Sequence, residues 1–264
     1  MYKGYIIFLT KDFLDIVNNL IDTVILFSKY DVEITCINFE YNFNNDRIKT
    51  NSLFIDICDF FNITKCKIIA TLNSKFDFAL LLDGDMIVTP DIDKIFEENE
   101  ERIKNYKCPL FAKHPHNPYN QWKHIVSKVI GNKIPKMNWV YSNYLFIKEQ
   151  KWFFQETLNY MNSVPIYQHH LFYPVPEESI LNALLIKYDV DYDLGYNYFP
   201  NGLDCVIDYY LTNNNDEGKH HINECYLSYD CPIKFYAFHG HKIKDHNYTK
   251  IIVEKIKQLK YIKM

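Results

Sequence analysis

Five apolar residues, Phe78-Ala79-Leu80-Leu81-Leu82, run directly into Asp83-Gly84-Asp85. So short a run, with no polar residue to present one face to water, reads as a strand buried on both faces, the pattern of interior strands in parallel sheets. The residues before it supply partners for such a strand. Gly4 to Leu9 is a second continuous apolar run. From Asp12 to Lys29 the apolar positions Phe13, Val17, Leu20, Val24 and Phe27 fall at helical spacing. Glu33 to Ile37 reads as another strand, Tyr41 to Asn51 as an Asn-rich loop, and Ser52 as the cap of a helix running to about Phe61. Lys67 to Ala70 is expected to be a third strand, which makes Phe78 to Leu82 the fourth. Strand and helix signals that alternate in this way predict a doubly wound parallel, Rossmann-like α/β sheet flanked by helices.

Beyond the acidic turn, Thr89-Pro90 is expected to open a charged helix through about Arg102, with Pro suited to its first turn. Leu110 to Ala112 reads as a short strand. Lys113 to Trp139, rich in His, Pro and Asn, reads as a long irregular loop, and that length inside a compact domain suggests a lid. Tyr141 to Ile147 returns as a strand, followed by a helix from Lys148 to about Asn162 and another from Glu177 to Tyr188. Ile233 to Phe238 is a short strand and Ile251 to Leu259 a helix. No repeat or linker divides residues 1–264, which are expected to form one domain.

The chemistry is bounded by charge and cysteine usage. A formal net charge of -4 and the absence of a basic stripe along the sequence argue against a nucleic-acid duplex as the main partner, so no nucleic-acid partner is expected. A local basic patch is left open in Lys123 to Lys136 or in the last twenty residues. Seven Cys without a CxxC pair fit neither a disulfide framework nor a zinc site. Reduced thiols, with an N-terminus unlike a signal peptide and no apolar run near the length of a membrane span, suggest a cytoplasmic protein. The sequons at Asn62 and Asn247 then carry no meaning.

Ligands of doubly wound sheets bind beyond the carboxyl ends of the strands, where Asp83 and Asp85 are expected. Two residues apart in extended backbone, their carboxylates project to one side and repel each other. A divalent cation relieves that repulsion, and hard oxygen ligands suit Mg²⁺ or Mn²⁺. Gly84 between them lets a diphosphate approach the backbone closely. An isolated DxD is common by chance, but here a buried strand precedes it and apolar Met86-Ile87-Val88 follows. His239, after the strand ending at Phe238, is an imidazole that suits Mn²⁺ rather better than Mg²⁺. Glu177 and Glu178 open a helix, where the dipole favours negative charge; the functional reading makes one of them a base, a nucleophile or an acceptor anchor. His169-His170 and His220-His221 lack ligand spacing and read as loop residues, and Trp122, Trp139 and Trp152 as core.

The segment FDFALLLDGDMIVTPDID resembles the DxD region of GT-A-fold glycosyltransferases, most like the family 8 group. Leu9-Thr10-Lys11-Asp12 resembles the start of that group's nucleotide pocket. Tyr141-Ser142-Asn143 resembles its Asn-bearing strand, and Pro176 to Asn182 its "DQDILN" helix start. Tyr196-Asn197 and Phe238-His239-Gly240-His241-Lys242 resemble the later "YN" and the closing "HxxGxxK". The order of these segments spans nearly the whole chain. The resemblance implies a GT-A sheet that is mixed but mainly parallel. Residues 1–105 would form the nucleotide-sugar-binding half and 106–264 the acceptor-binding half. It implies a nucleotide-sugar donor, a UDP-sugar, held through Thr10, Asp12, Asp83, Gly84, Asp85, Asn143 and Lys242. The metal, Mn²⁺ or Mg²⁺, would sit on Asp83, Asp85 and His239, and transfer to a glycan, protein or small-molecule acceptor would retain the anomeric configuration. Three departures stand out: Tyr144-Leu145 replaces a glycine after Asn143 and is expected to crowd the inner wall, Glu178 replaces Gln, and Gly240 follows His239 directly.

Rival readings of the same acidic pair are a haloacid-dehalogenase-type phosphatase, a nucleotidyltransferase and an inactive glycan-binding relative. The first usually has its Asp on the first strand of its domain. The second wants a Gly-rich phosphate loop, which Thr10-Lys11-Asp12-Phe13 does not provide.

Overall fold

The computed structural model of the chain describes residues 1–90, 92–113, 119–131, 139–190 and 235–237. Its first strand, β1 (Lys3–Thr10), is followed by a 3-10 turn and α1 (Leu14–Phe27). Ile16, Val17, Leu20, Ile21 and Val24 give that helix its buried stripe. β2 (Asp31–Ile37) and β3 (Ile48–Leu53) follow, then α2 (Phe60–Asn73) and β4 (Phe78–Leu82). The strand order is β3-β2-β1-β4, all parallel, so the sheet grows outward one way from β1 and then reverses to place β4 on the other side of β1. That reversal makes the carboxyl ends of β1 and β4 the switch point where such sheets bind ligands. The pairing of Ile7 with Leu82 carries Phe8 and Thr10 alongside the acidic turn.

The second half completes the sheet in the opposite sense. β5 (Met86–Val88), α3 (Lys94–Lys104), β6 (Leu110–Lys113), α4 (Tyr119–Ile130), β7 (Val140–Ile147), α5 (Lys151–Ser163) and α6 (Pro176–Lys187) follow in order. β7 pairs antiparallel with β4, and β6 antiparallel with β7, so the six-stranded sheet is mixed rather than wholly parallel. A separate two-stranded ribbon joins β5 to β8 (Phe235–Ala237), within the strand expected before His239.

Several expectations need correction. Ser52 caps no helix; it lies in β3, inside the stretch read partly as loop, and α2 is capped by Asp59, whose carboxylate accepts from the Asn62 amide at 3.0 Å. Lys67 to Ala70 is not a strand but the middle of α2. The helix buries Phe61, Cys66, Lys67, Ile68 and Ala70, among others, because it is covered both by the sheet and by α5 and α6. Thr89-Pro90 forms a turn, and α3 starts only at Lys94. The stretch from Lys113 to Trp139 contains α4, which packs on α6 and is therefore no structureless lid. His169 is buried rather than a loose loop residue: its Nδ1 lies 2.7 Å from Asp59 Oδ2, and its ring stacks on Phe61. Trp139 is core, as expected, whereas Trp152 is part-exposed and donates to the Lys107 carbonyl.

Every residue of β4 is buried, and each leucine removed from water there contributes about 1.5–3 kcal/mol before conformational entropy is counted. Gly4 in β1 shows how closely this sheet is covered. A Cβ built there would stand 2.1 Å from Cζ of the buried Phe76 ring. Gly4→Ala should therefore destabilise the protein by about 1–3 kcal/mol, through displacement of that ring. Thermal melting is the check, and a wild-type melting temperature would mean that the ring gives way freely.

Candidate active site

The acidic turn is held from below by a buried cation that sequence reasoning had assigned to a strand. Lys67 reaches through the sheet side of α2, only 2% exposed at its side chain, and its Nζ lies 2.6 Å from Asp83 Oδ1. The same ammonium lies 2.8 Å from Ser142 Oγ and 3.8 Å from Glu177 Oε1. Burial works against its charge, but Asp83 and Glu177 outweigh that and hold its pKa above the ordinary lysine value. The other oxygen of Asp83 accepts from Asn143 Nδ2 at 3.1 Å. Asp83 is thus fixed from both sides, by α2 and by β7.

Alternation along β7 explains which neighbours share this site. Ser142 and Tyr144 face α2, where the Tyr144 hydroxyl bonds Thr71 Oγ1 at 2.7 Å and its ring packs against Phe111, Phe146 and Phe154. Asn143 faces Asp83 and Met86. Tyr144 therefore does not crowd the inner wall; it is spent in the aromatic core behind it.

Thr10, Phe8, Phe13, Phe60, Ile63 and the Asp83-Gly84-Asp85 turn enclose a cavity of about 200 Å³. Its lining combines two carboxylates with three phenylalanine rings. Gly84 needs its missing side chain for no internal reason. Its φ is not in the left-handed region, and a Cβ would only touch Val17 at an ordinary 3.7 Å. The open space over that glycine belongs to the cavity. Asp12 is exposed and does not line it.

Glu177 and Glu178 start α6, with Pro176 at its first position. Glu177 is buried and turned toward Lys67. Glu178 is half-buried; Trp139 Nε1 donates to its Oε1 at 2.5 Å, and the Ser142 amide also donates to it. Burial pushes its pKa up to about 7, opposed by those donors and by Lys67 and reinforced by Glu177. Asn182, one turn further along α6, bonds both the N–H and the carbonyl of Val140 at 2.8 Å, which fixes the start of β7 against the helix.

As a metal site, the described residues offer two hard carboxylates and no set of three His, Cys, Asp or Glu ligands. Both oxygens of Asp83 already accept a hydrogen bond, yet each carboxylate oxygen has a second lone pair, so coordination remains open to it. The donor set fits Mg²⁺ or Mn²⁺. The strand β8 pairs Ala237 with Met86, directly after Asp85, and His239 follows two residues later in sequence. His239, Lys242, Tyr196-Asn197 and the helix expected at Ile251 to Leu259 lie outside the described residues.

This mixed, mostly parallel six-stranded sheet, flanked by helices, has the GT-A glycosyltransferase fold. Two solved structures carry the comparison. Galactosyltransferase LgtC, in complex with donor and acceptor sugar analogs, is similar with a TM-score of 0.60 and 12% identity over 97% of this chain and 95% of that one. The apo form of glycosyltransferase GlyE from Streptococcus pneumoniae TIGR4 is similar with a TM-score of 0.56 and 13% identity. That match covers 97% of this chain but only 60% of the GlyE chain. No protein-family model matches the sequence, and no curated protein matches it. No helix among the described residues is long and apolar enough to cross a membrane.

Proposed function

We propose that the chain is a glycosyltransferase that moves a sugar from a nucleotide-sugar donor, a UDP-sugar, to an acceptor hydroxyl with retention of configuration. The observation that carries this reading is the cavity at the β1/β4 switch point, lined by Asp83-Gly84-Asp85 together with the rings of Phe8, Phe13 and Phe60. The rings of Phe8, Phe13 and Phe60 suit a planar base, and the bare backbone at Gly84 suits a diphosphate. LgtC, which shares the fold, was captured with donor and acceptor sugar analogs, and this supports the same use of the cleft here.

In this reading Asp83, Asp85 and His239 hold Mn²⁺ or Mg²⁺, and a metal there supplies Lewis-acid stabilisation to the leaving diphosphate. Lys67 and Asn143 hold Asp83 in place. Thr10 contacts the nucleotide, with Asp12 at the outer rim, and Lys242 neutralises phosphate charge. Glu177 anchors sugar hydroxyls, and Glu178 stands at the reacting face as nucleophile or base. The antiparallel addition of β7 and β6 builds the inner wall on which the acceptor, a glycan, a protein or a small molecule, would rest.

A thermal-shift series tests this directly. UDP at about a hundred times its Kd should stabilise the protein by about 2.7 kcal/mol, and only when Mn²⁺ or Mg²⁺ is present. Equal stabilisation in EDTA would overturn the metal assignment. No response to any nucleotide, with or without metal, would overturn the donor assignment.

A further inference from the structure

The carboxyl group of Glu178 is oriented by an aromatic side chain. Trp139, at the entry to β7, is 2% exposed, and its indole N–H donates to Glu178 Oε1 at 2.5 Å. The two residues are locked together a second time through bonds that use neither side chain: Asn182 of α6 clamps both backbone groups of Val140. The clamp therefore holds at a fixed spacing the two backbone segments that carry the indole and the carboxyl group. An indole donates and never accepts, so toward Glu178 it sets direction and polarity and carries no proton. Among the described residues, the charged groups that act on Glu178 are Lys67 from α2 and Glu177 beside it on α6, and Lys67 in turn pairs with Asp83 directly after β4. The Trp139 indole just before β7 and the Ser142 amide within it are neutral donors.

We propose that Trp139 is a positioning residue: its indole N–H, with the Ser142 amide, fixes the carboxyl group of Glu178 in one orientation for the transfer reaction. The last clause rests on the glycosyltransferase reading; the coupling of the two side chains does not. The sign of the coupling follows from the hydrogen bond. An N–H donor favours the ionised carboxylate, so it opposes the burial that pushes Glu178 up to about 7. Loss of the donor must push that value higher still.

Trp139→Phe keeps a buried ring and removes the N–H. Tryptophan fluorescence, titrated across neutral pH on the full chain, should show a transition near pH 7 in the wild type, lost in Trp139→Phe and equally in Glu178→Gln. A transition that survives either substitution, or none in the wild type, overturns the coupling. Glu178→Gln keeps this arm decisive should Trp139→Phe fail to fold. In transfer assays Trp139→Phe should lower kcat about tenfold, the size of one hydrogen bond to a carboxylate. Donor KM should stay within about twofold, and the midpoint of the pH profile should move upward. A merely structural tryptophan would lower the melting temperature and leave that midpoint in place, which would overturn the positioning role. If the wild type transfers no sugar, the glycosyltransferase reading falls, while the fluorescence titration still decides whether Trp139 sets Glu178.

Discussion

Lys67→Met should destabilise the protein by about 3–5 kcal/mol, because it leaves two buried or half-buried carboxylates without their shared cation. The side chain is 2% exposed and sits between Asp83 at 2.6 Å and Glu177 at 3.8 Å. Methionine matches the length of lysine and satisfies neither acid. The pH dependence has a definite sign. The folded pKa of Lys67 lies above 10.5, so its contribution is fully present below that value and is lost as pH rises through the folded pKa. On the alkaline side, wild type and variant should therefore converge as Lys67 loses its proton. Glu177→Gln in the Lys67→Met background should recover part of the loss, since it removes one of the stranded charges. Denaturant unfolding measures all three proteins. A loss under about 1 kcal/mol for Lys67→Met would show that the acids are paired by other means.

Asp85→Asn is expected to act on chemistry and spare the fold. Asp85 is half-buried at the mouth of the cavity, and the substitution changes charge without changing shape. If the carboxylate helps hold a cation against the donor diphosphate, transfer and donor hydrolysis should both fall by about a thousandfold or more. Metal-dependent stabilisation by UDP should vanish with them. The variant should melt within a few degrees of wild type, and transfer rates near the wild-type value would sink the assignment of Asp85.

How much of this was legible in the sequence depends on what each segment has to bury. β1, α1, β2, β4 and β7 could be read because their apolar patterns answer to a single environment: both faces for the central strands, one stripe for α1. β3 was not legible as a strand because it is the sheet edge, and Lys49, Asn51 and Ser52 face water where an interior strand would be apolar. α2 was misread because Lys67-Ile68-Ile69-Ala70 resembles a short strand, and the helix is covered on more than one side, which erases the 3.6-residue signal. That error also hid Lys67, the residue that does most to hold the acidic turn. A lone lysine among apolar residues was the available signal, since a fully buried lysine needs a carboxylate partner. The acidic turn itself was legible in place, at the carboxyl end of β4, although the Met86 amide bonding the Asp83 carbonyl closes it as a turn rather than extended backbone. Its supports, Lys67 and Asn143, come from segments that only the fold brings together.

The ribbon between β5 and β8 also sets a timetable. Met86–Val88 pairs with Phe235–Ala237 across about 150 residues of intervening chain, the longest closure among the described strand pairings. Such a contact is the slowest kind to find during folding, and on a ribosome its second strand emerges after everything that builds the main sheet. The sheet, Lys67 and Asp83 can be in place while the ribbon is still open. On this order a growing chain acquires its main sheet early and the ribbon that continues from the acidic turn late.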